Sequence, residues 1–382
     1  MKGVEIVGVG LHPFGRFDDL SATDMGVTAV SEAVREAGLG RGEVQAAFCG
    51  TAYGGVAAGH RVLGRLAMTG MPIVDVEAGC ASGGAALQLG ANAIAAGQYD
   101  CVLVLGIEKM PKGVIRSSFF APWQEAAGLT PAPAFFALRA QRLLRSTGLT
   151  KEHLAEVVVK NRRHGAANPD AMFRAEVTTA EVLASRVVCE PLHLWMLCSP
   201  NEGAAAVVLG RARPRRSGER RGGVTIAGVS LRSHLPGNVL GEDSPLCGID
   251  DADIAAPTTL ASDDAYEQAG VGPDDIDVVE CQDTDAGREL LAWTELGFCE
   301  AGDQARLLRD GDVTLGGRLP VNPSGGLLSK GEPLGASALG QVVELVWQLR
   351  GSAGPRQVAG ATVALAHTVG RGANACVVIL TR

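Results

Sequence analysis

Aromatic side chains are scarce in this 382-residue chain: Phe, Tyr and Trp together make up 4% of it, so large rings cannot fill much of the interior. Gly occupies 51 positions instead, which suits close backbone contacts and tight strand-to-helix turns. Basic residues are in deficit too. Lys and Arg number 34 against 42 Asp and Glu, a formal charge of −8, the wrong sign for a general nucleic-acid binder. No segment approaches the roughly 18 uninterrupted apolar residues of a membrane span, and the N-terminal stretch MKGVEIVGVGL is broken by Glu5. Nine cysteines include no CxxC pair, and seven histidines show no HExxH-type spacing. They fit neither a disulfide framework nor a zinc cage, and no protein-bound metal is expected. A cytoplasmic location follows as the expectation.

What is present is a folded chain, 46% apolar and 20% charged, long enough for two or three domains. An internal repeat organises it. GVEIVGVGL at 3–11 agrees with GVTIAGVSL at 223–231 at Gly3/Gly223, Val4/Val224, Ile6/Ile226, Gly8/Gly228, Val9/Val229 and Leu11/Leu231. EAGLGRGEVQAAFC at 36–49 then matches QAGVGPDDIDVVEC at 268–281. A repeat this long means two copies of a domain rather than a solenoid. The first copy reads as strand (VEIVGVGL), helix (22–37), strand (VQAAFCGT), helix (81–97) and strand (DCVLVLGIE). Its counterparts are VTIAGVSL, 258–269, IDVVECQD, 335–350 and ATVALAHTV. Near-continuous apolar strands alternating with helices predict an α/β fold whose sheets are covered on both faces. The halves divide at 1–222 and 223–382. The stretch at about 111–199 has no counterpart and reads as a loop domain inserted in the first copy, of the kind that shapes a binding site. RARPRRSGERR, with six arginines from Arg211 to Arg221, reads as a solvated connector between the copies rather than an anion clamp.

Three glycine-rich corners carry candidate chemistry. In VDVEAGCASGGAALQLGANAIAAG, Cys80 sits where a strand gives way to a helix, and exposed N–H groups and the positive helix end stabilise a thiolate there. In NPSGGLLSKGEPLGAS, Glu332 stands in a turn that the repeat places symmetrically to the Cys80 corner; on its own it could simply cap the helix beginning near 335. In ALAHTVGRGANACVVIL, His367 ends a strand before Gly370 and Gly372, a setting for an acid or base beside backbone oxyanion donors, or for a satisfied core histidine. His12, His60, His153, His164, His193 and His234 lack such a setting and read as structural.

These segments, together with YDCVLVLGIEKM and CSPNEGAAAVVLG, resemble the thiolase superfamily from end to end, with the flavour of its sterol-carrier and lipid-transfer-protein members. The resemblance implies the five-layered thiolase fold (α-β-α-β-α) of two similar βαβαβ halves with an inserted loop domain. It implies Claisen or retro-Claisen chemistry on coenzyme A thioesters as substrate, with no bound cofactor. By motif match, Cys80 is the acylated nucleophile, and its N–H with that of Gly370 forms an oxyanion hole. Where the family motif reads GHP this chain reads GEP, and an ionised carboxylate raises a neighbouring thiol's pKa rather than lowering it. Burial makes that carboxylate costly to ionise, so Glu332 is expected as a neutral hydrogen-bond donor, sharing proton transfer with His367. His367 stands where ordinary members carry a second acid/base cysteine; Cys376 follows nine residues later. Gln282, Asp283, Thr284 and Asp285 replace the Asn-Glu-Ala-Phe segment; Gln282 retains the ability to hold a water, and Asp285 is expected to make the cavity polar. The family further implies a homodimer or dimer of dimers that pairs the DCVLVLGIE strand or its neighbours across a two-fold axis, and a small zinc-ribbon/OB-fold partner. Two functional readings follow: an acyltransferase working through acyl-Cys80, favoured by the intact CASGG, and a lapsed acyl-CoA or lipid-binding subunit of a complex, favoured by GEP.

Overall fold

The computed structural model describes residues 3–113, 122–126, 131–212, 223–235, 254–370 and 374–382. Most of the arginine-rich connector, from Arg213 onward, and Gly372 lie outside them. The first half runs β1 (Val4–Gly15), α1 (Ala22–Ala37), β2 (Ala46–Gly50), α2 (Ala58–Arg65), β3 (Ile73–Val76), α3 (Ser82–Ala95) and β4 (Cys101–Lys109). Then come α4 (Pro122–Ala126), α5 (Ala132–Thr147), α6 (Lys151–Ala166), α7 (Thr179–Ala184), the small hairpin β5 (Val187–Cys189) and β6 (Leu192–His193), and β7 (Glu202–Arg211). The second half runs β8 (Val224–Arg232), α8 (Pro257–Ala269), β9 (Val278–Glu280), α9 (Ala286–Glu295), α10 (Gln304–Asp310), α11 (Gly326–Lys330), α12 (Leu334–Arg350), β10 (Val363–Gly370) and β11 (Asn374–Thr381).

The strands order as β3-β2-β4-β7-β1-β8-β11-β10-β9. This is two sheets of the same plan, joined where β1 meets β8 through only Glu5↔Thr225 and Ile6↔Val224. In the second half a single parallel bridge, Val279↔Val321, stands where β3 pairs with β2 in the first. Glycine explains why the repeat is legible. A Cβ on Gly8 would sit 2.1 Å from the Ala33 carbonyl oxygen of α1, and one on its counterpart Gly228 would sit 2.4 Å from that of Ala265 in α8. Each first strand is thus bare where the covering helix crosses it.

Three apolar cores define the layers. α3 and α12 share one core with strands of both halves, including Val102, Val104 and Val207 from one sheet and Ile226, Ala366 and Val378 from the other. Those two helices are therefore the middle layer, as their small-residue content predicts. Gly83 lies against them closely enough that a Cβ would meet the Gly335 oxygen at 3.0 Å. α1 and α2 cover the outer face of the first sheet. α8, α9 and α10, with α5 and α6 of the inserted segment, cover the second. Strand β4 is apolar throughout because Val102 and Val104 face the middle core while Leu103, Leu105 and Ile107 face the outer one.

Two expectations change. β4 is hydrogen-bonded on both sides, to β2 and β7, so the DCVLVLGIE strand has no edge to offer a second subunit; the sheet edge on that side is β3, beyond β2, where Val74 is 44% exposed. The second half also holds α9, α10 and α11, which lack the long periodic runs that a sequence reading detects. Among the described residues no helix is long and apolar enough to cross a membrane.

Candidate active site

Cys80 lies in the single 3₁₀ turn Gly79–Ala81 that feeds α3. Ser82 locks this turn, its Oγ accepting from Ala78 N at 2.9 Å and donating to Gly79 O at 2.6 Å. Cys80 is buried and packs with Met110 and Leu334, with Ala52 beside them. Gly370, at the end of β10, touches the same turn: a Cβ there would fall 1.9 Å from Ala78 O and 3.0 Å from Ala81 N. Only glycine allows that approach.

Glu332 is held by the strand-like segment 198–201. Its N–H donates to Ser199 O at 2.8 Å, and its carbonyl accepts from Asn201 N at 3.3 Å. Gly331 adopts φ +84, and a Cβ there would sit 2.0 Å from Asn201 Nδ2. The side chain meets two donors: Gln282 Nε2 reaches Oε1 at 2.9 Å, and the Cys198 thiol reaches Oε2 at 3.1 Å. Glu332, expected as a donor, is thus presented as an acceptor at both oxygens, because its buried neighbours carry the hydrogens. The helix-capping alternative does not hold either. Pro333, the N-cap of α12, makes no side-chain cap, and the Gly335 N–H goes to Glu108 Oε2 at 3.1 Å. Glu108, in β4, also accepts from Ala52 N at 2.8 Å and Tyr53 N at 3.0 Å, tying the loop beside Cys80 to the start of α12. Burial pushes its carboxyl up from the ordinary value.

Of the predicted residues, Gln282 and Glu332 meet directly, and Gly370 abuts the Cys80 turn. His367 goes elsewhere. It lies on the face of β10 shared with Leu365 and Val369, toward the outer helices, whereas Ala364 and Ala366 face the middle layer. Its Nε2 pairs with Thr258 Oγ1 at 3.1 Å, and burial followed by the Arg288 charge holds it well below the usual imidazole range. Asp285 does not make the cavity polar: it caps α9 through Arg288 N at 3.0 Å and pairs with Arg139 at 2.5 Å. Asp283 caps α11 through Leu327 N at 2.7 Å and Leu328 N at 3.1 Å. The inserted segment buttresses this corner, with Asn161 donating to Asp283 at 2.9 Å and His164 contacting Asn322 O at 2.9 Å. Burial drives His164 down to about 3, so it stays neutral and structural, as its sequence setting indicates.

Sequence reasoning missed Cys198 and Glu108. Both stand in segments that carry the family resemblance, CSPNEG and GIEKM. The signal for Cys198 would have been its position just ahead of β7, in the segment that pairs with the GEP turn.

Residues 4–212 match the family model of the thiolase N-terminal domain, and residues 249–382 that of the thiolase C-terminal domain-like family. An acetyl-CoA acetyltransferase of Methanothermobacter thermautotrophicus is 36% identical over 395 residues, covering 100% of both chains. Sterol carrier protein 2 of Bos taurus is 35% identical over 391 residues, covering 97% of this chain and 70% of that protein. Among solved structures, an Ltp2–ChsH2(DUF35) aldolase superposes with a TM-score of 0.87 at 25% identity, covering 99% of this chain and 97% of that one. With both halves matched and a relative aligned along the whole length, the chain belongs to the thiolase family and is an acyl-CoA thiolase-like acyltransferase.

Proposed function

We propose that the protein makes or cleaves a carbon–carbon bond next to a thioester through an acyl-Cys80 intermediate. The observation that carries this is the corner around Cys80, where Gly370 abuts the turn, Leu334 packs on Cys80, and Glu332, two residues before Leu334, accepts hydrogen bonds at both carboxylate oxygens. Cys80 attacks the acyl carbonyl, and the Cys80 and Gly370 N–H groups receive the developing oxyanion. Glu332, an acceptor at both oxygens, takes the thiol proton as general base. Gln282 steadies Glu332 through its amide N–H, while its own Oε1 is buried without a partner, a place for a water hydrogen. His367 is left out of the proton path, because its Nε2 is engaged with Thr258.

The division of halves at 222/223, with a loop domain at about 111–199, belongs to this reading and is supported by the two matched family segments. So does a homodimer formed at the β3 edge, since an unpaired strand edge with an exposed valine favours pairing with a second copy. A small DUF35-type partner is supported by the composition of the aldolase complex that this chain resembles. Eight described cysteines are free thiols, which suits a reducing, cytoplasmic setting.

Mass measurement of the intact protein after incubation with acetyl-, butyryl- and octanoyl-CoA tests the central claim. One acyl adduct, located on Cys80 and absent from Cys80→Ala, is the expected result. No adduct with any of the three, or an adduct on another cysteine, overturns it and favours a non-catalytic acyl-CoA-binding role.

A further inference from the structure

Resting on that reading and carrying it one residue further, the geometry points to Cys198 as the acid/base group at the reacting carbon, with Glu332 as its proton reservoir. Three observations support the assignment. The Cys198 thiol donates to Glu332 Oε2 at 3.1 Å, a contact between segments 134 positions apart. Residues 198–201 and 331–332 are locked together by backbone hydrogen bonds from Glu332 N to Ser199 O at 2.8 Å and from Asn201 N to Glu332 O at 3.3 Å, so the pair is held rather than incidental. And Leu334, two residues beyond Glu332, packs on Cys80, which sets the Glu332–Cys198 pair beside the nucleophile.

The proton count of the reaction calls for such a group. In the cleaving direction, a bond forms between Cys80 Sγ and the acyl carbon, the carbon–carbon bond breaks, and the proton lost by Cys80 must end on the carbanion. Glu332 receives that proton as Cys80 attacks. Cys198 gives its own proton to the carbanion carbon, forming the C–H bond of the departing acyl-CoA. The carboxylic acid then returns a proton to the Cys198 thiolate across the same 3.1 Å contact, and both groups are restored. Synthesis runs the same steps backwards, with the Cys198 thiolate removing the α-proton.

The chemistry of this thiol fits the task. Burial first, then the Glu332 charge and its hydrogen bond, push Cys198 well above the ordinary thiol value. It therefore rests protonated at neutral pH, and its thiolate is an unusually strong base. A carbanion beside a thioester is a stronger base than any thiolate, so donation from a weakly acidic thiol still runs downhill. In the reverse direction the strongly basic thiolate is the better match for a weak carbon acid.

Two half-reactions separate this claim from the one on which it rests. Acylation of Cys80 is read by intact-protein mass, and carbanion formation by α-proton exchange of acetyl-, butyryl- and octanoyl-CoA in D₂O, followed by NMR. Cys198→Ala is expected to slow exchange by about 10²- to 10⁴-fold while the Cys80 adduct still forms. Cys198→Ser preserves a donor to Glu332 but supplies a far weaker acid, and is expected to exchange as slowly as the alanine variant. Exchange at the wild-type rate in either variant would overturn the proposal, the serine result by showing that Glu332 needs only a hydrogen bond. Absence of exchange in the wild-type protein with all three thioesters counts against it equally. Cys198-dependent exchange without any Cys80 adduct would uphold it and sink the acyl-Cys80 reading instead.

Discussion

Glu332 and Cys198 face each other across 3.1 Å, with the thiol as donor and the carboxylate as acceptor. The relationship inverts the expectation drawn from the GEP motif, in which a neutral Glu332 donates. A general base at this position has a direct consequence. Glu332→Gln preserves shape and one acceptor but cannot take a proton, so the carbon–carbon step should fall by about 10²- to 10⁴-fold. Because the Gln282 amide can turn its unpartnered Oε1 toward the new NH₂, the variant should keep its denaturation midpoint. Steady-state turnover and a denaturant titration on the same preparation check both, and unchanged turnover removes Glu332 from the proton path.

Gly370→Ala probes the contact between the end of β10 and the nucleophile turn. The added Cβ would lie 1.9 Å from Ala78 O, backbone that cannot swing aside as a side-chain tip can. The turn and the strand must part, at a cost of about 1–3 kcal/mol, and the oxyanion donors move with them. Acylation of Cys80 should slow more than substrate binding weakens. A single-turnover acylation rate compared with a thioester Kd separates the two, and a Gly370→Ala protein acylated at the wild-type rate contradicts the assignment.

Stability should decline with mild acid. His164 is held at about 3 by burial, against 6.5 in the unfolded chain, and burial depresses His367 in the same direction. Both are neutral when folded. The unfolded chain therefore binds more protons below pH 6.5, and unfolding becomes easier as pH falls from there toward 3. His164 contributes up to about 1.4 kcal/mol per pH unit across that window, and His367 acts in the same direction. His164→Asn should flatten the fall in melting temperature between pH 7 and pH 5, and a slope identical to wild type would show that the ring does not titrate in this way.

Much of the fold was legible because the two halves solve one packing problem twice. Gly8 and Gly228 each clear a path for a helix over the first strand, so the repeat survives at the positions where a side chain would collide. The apolar runs of β4 and β10 announce burial on both faces. α9 to α11 carry no such mark. They are only 10, 7 and 5 residues long, too few turns for a periodic run to stand out, and they pack on the inserted segment through apolar side chains such as Leu290 and Leu307 together with the buried contact of Asn161 with Glu289. The site divides in the same way. Cys80, Gly370 and Glu332 lie at glycine corners whose backbone demands show in the sequence. His367 looked equivalent, yet in an alternating strand one position decides the face, and neighbouring glycines do not reveal which. Cys198 was hidden because its significance lies in a partner 134 residues away.

Glu108 gives the last prediction. Its two oxygens accept four hydrogens, Oε1 from Thr51 Oγ1 at 3.3 Å and Tyr53 N at 3.0 Å, and Oε2 from Ala52 N at 2.8 Å and Gly335 N at 3.1 Å. One carboxylate therefore clamps the loop bearing Ala52 to the start of α12, and Ala52 and Leu334 are the neighbours that pack on Cys80. Glu108→Gln replaces one acceptor with an NH₂ that faces two donors, leaving buried N–H groups unsatisfied at about 1–3 kcal/mol. Since this clamp sets the walls around Cys80 without belonging to the proton path, the variant should lose stability and acylate slowly, while the pH dependence of its residual acylation stays that of the wild type. A Glu332 variant should instead alter that pH dependence with little loss of stability. Denaturation midpoints and acylation pH profiles for the two glutamines side by side decide the matter: a shifted profile in Glu108→Gln would place Glu108 in the chemistry, and an unchanged midpoint would refute its role as the clamp.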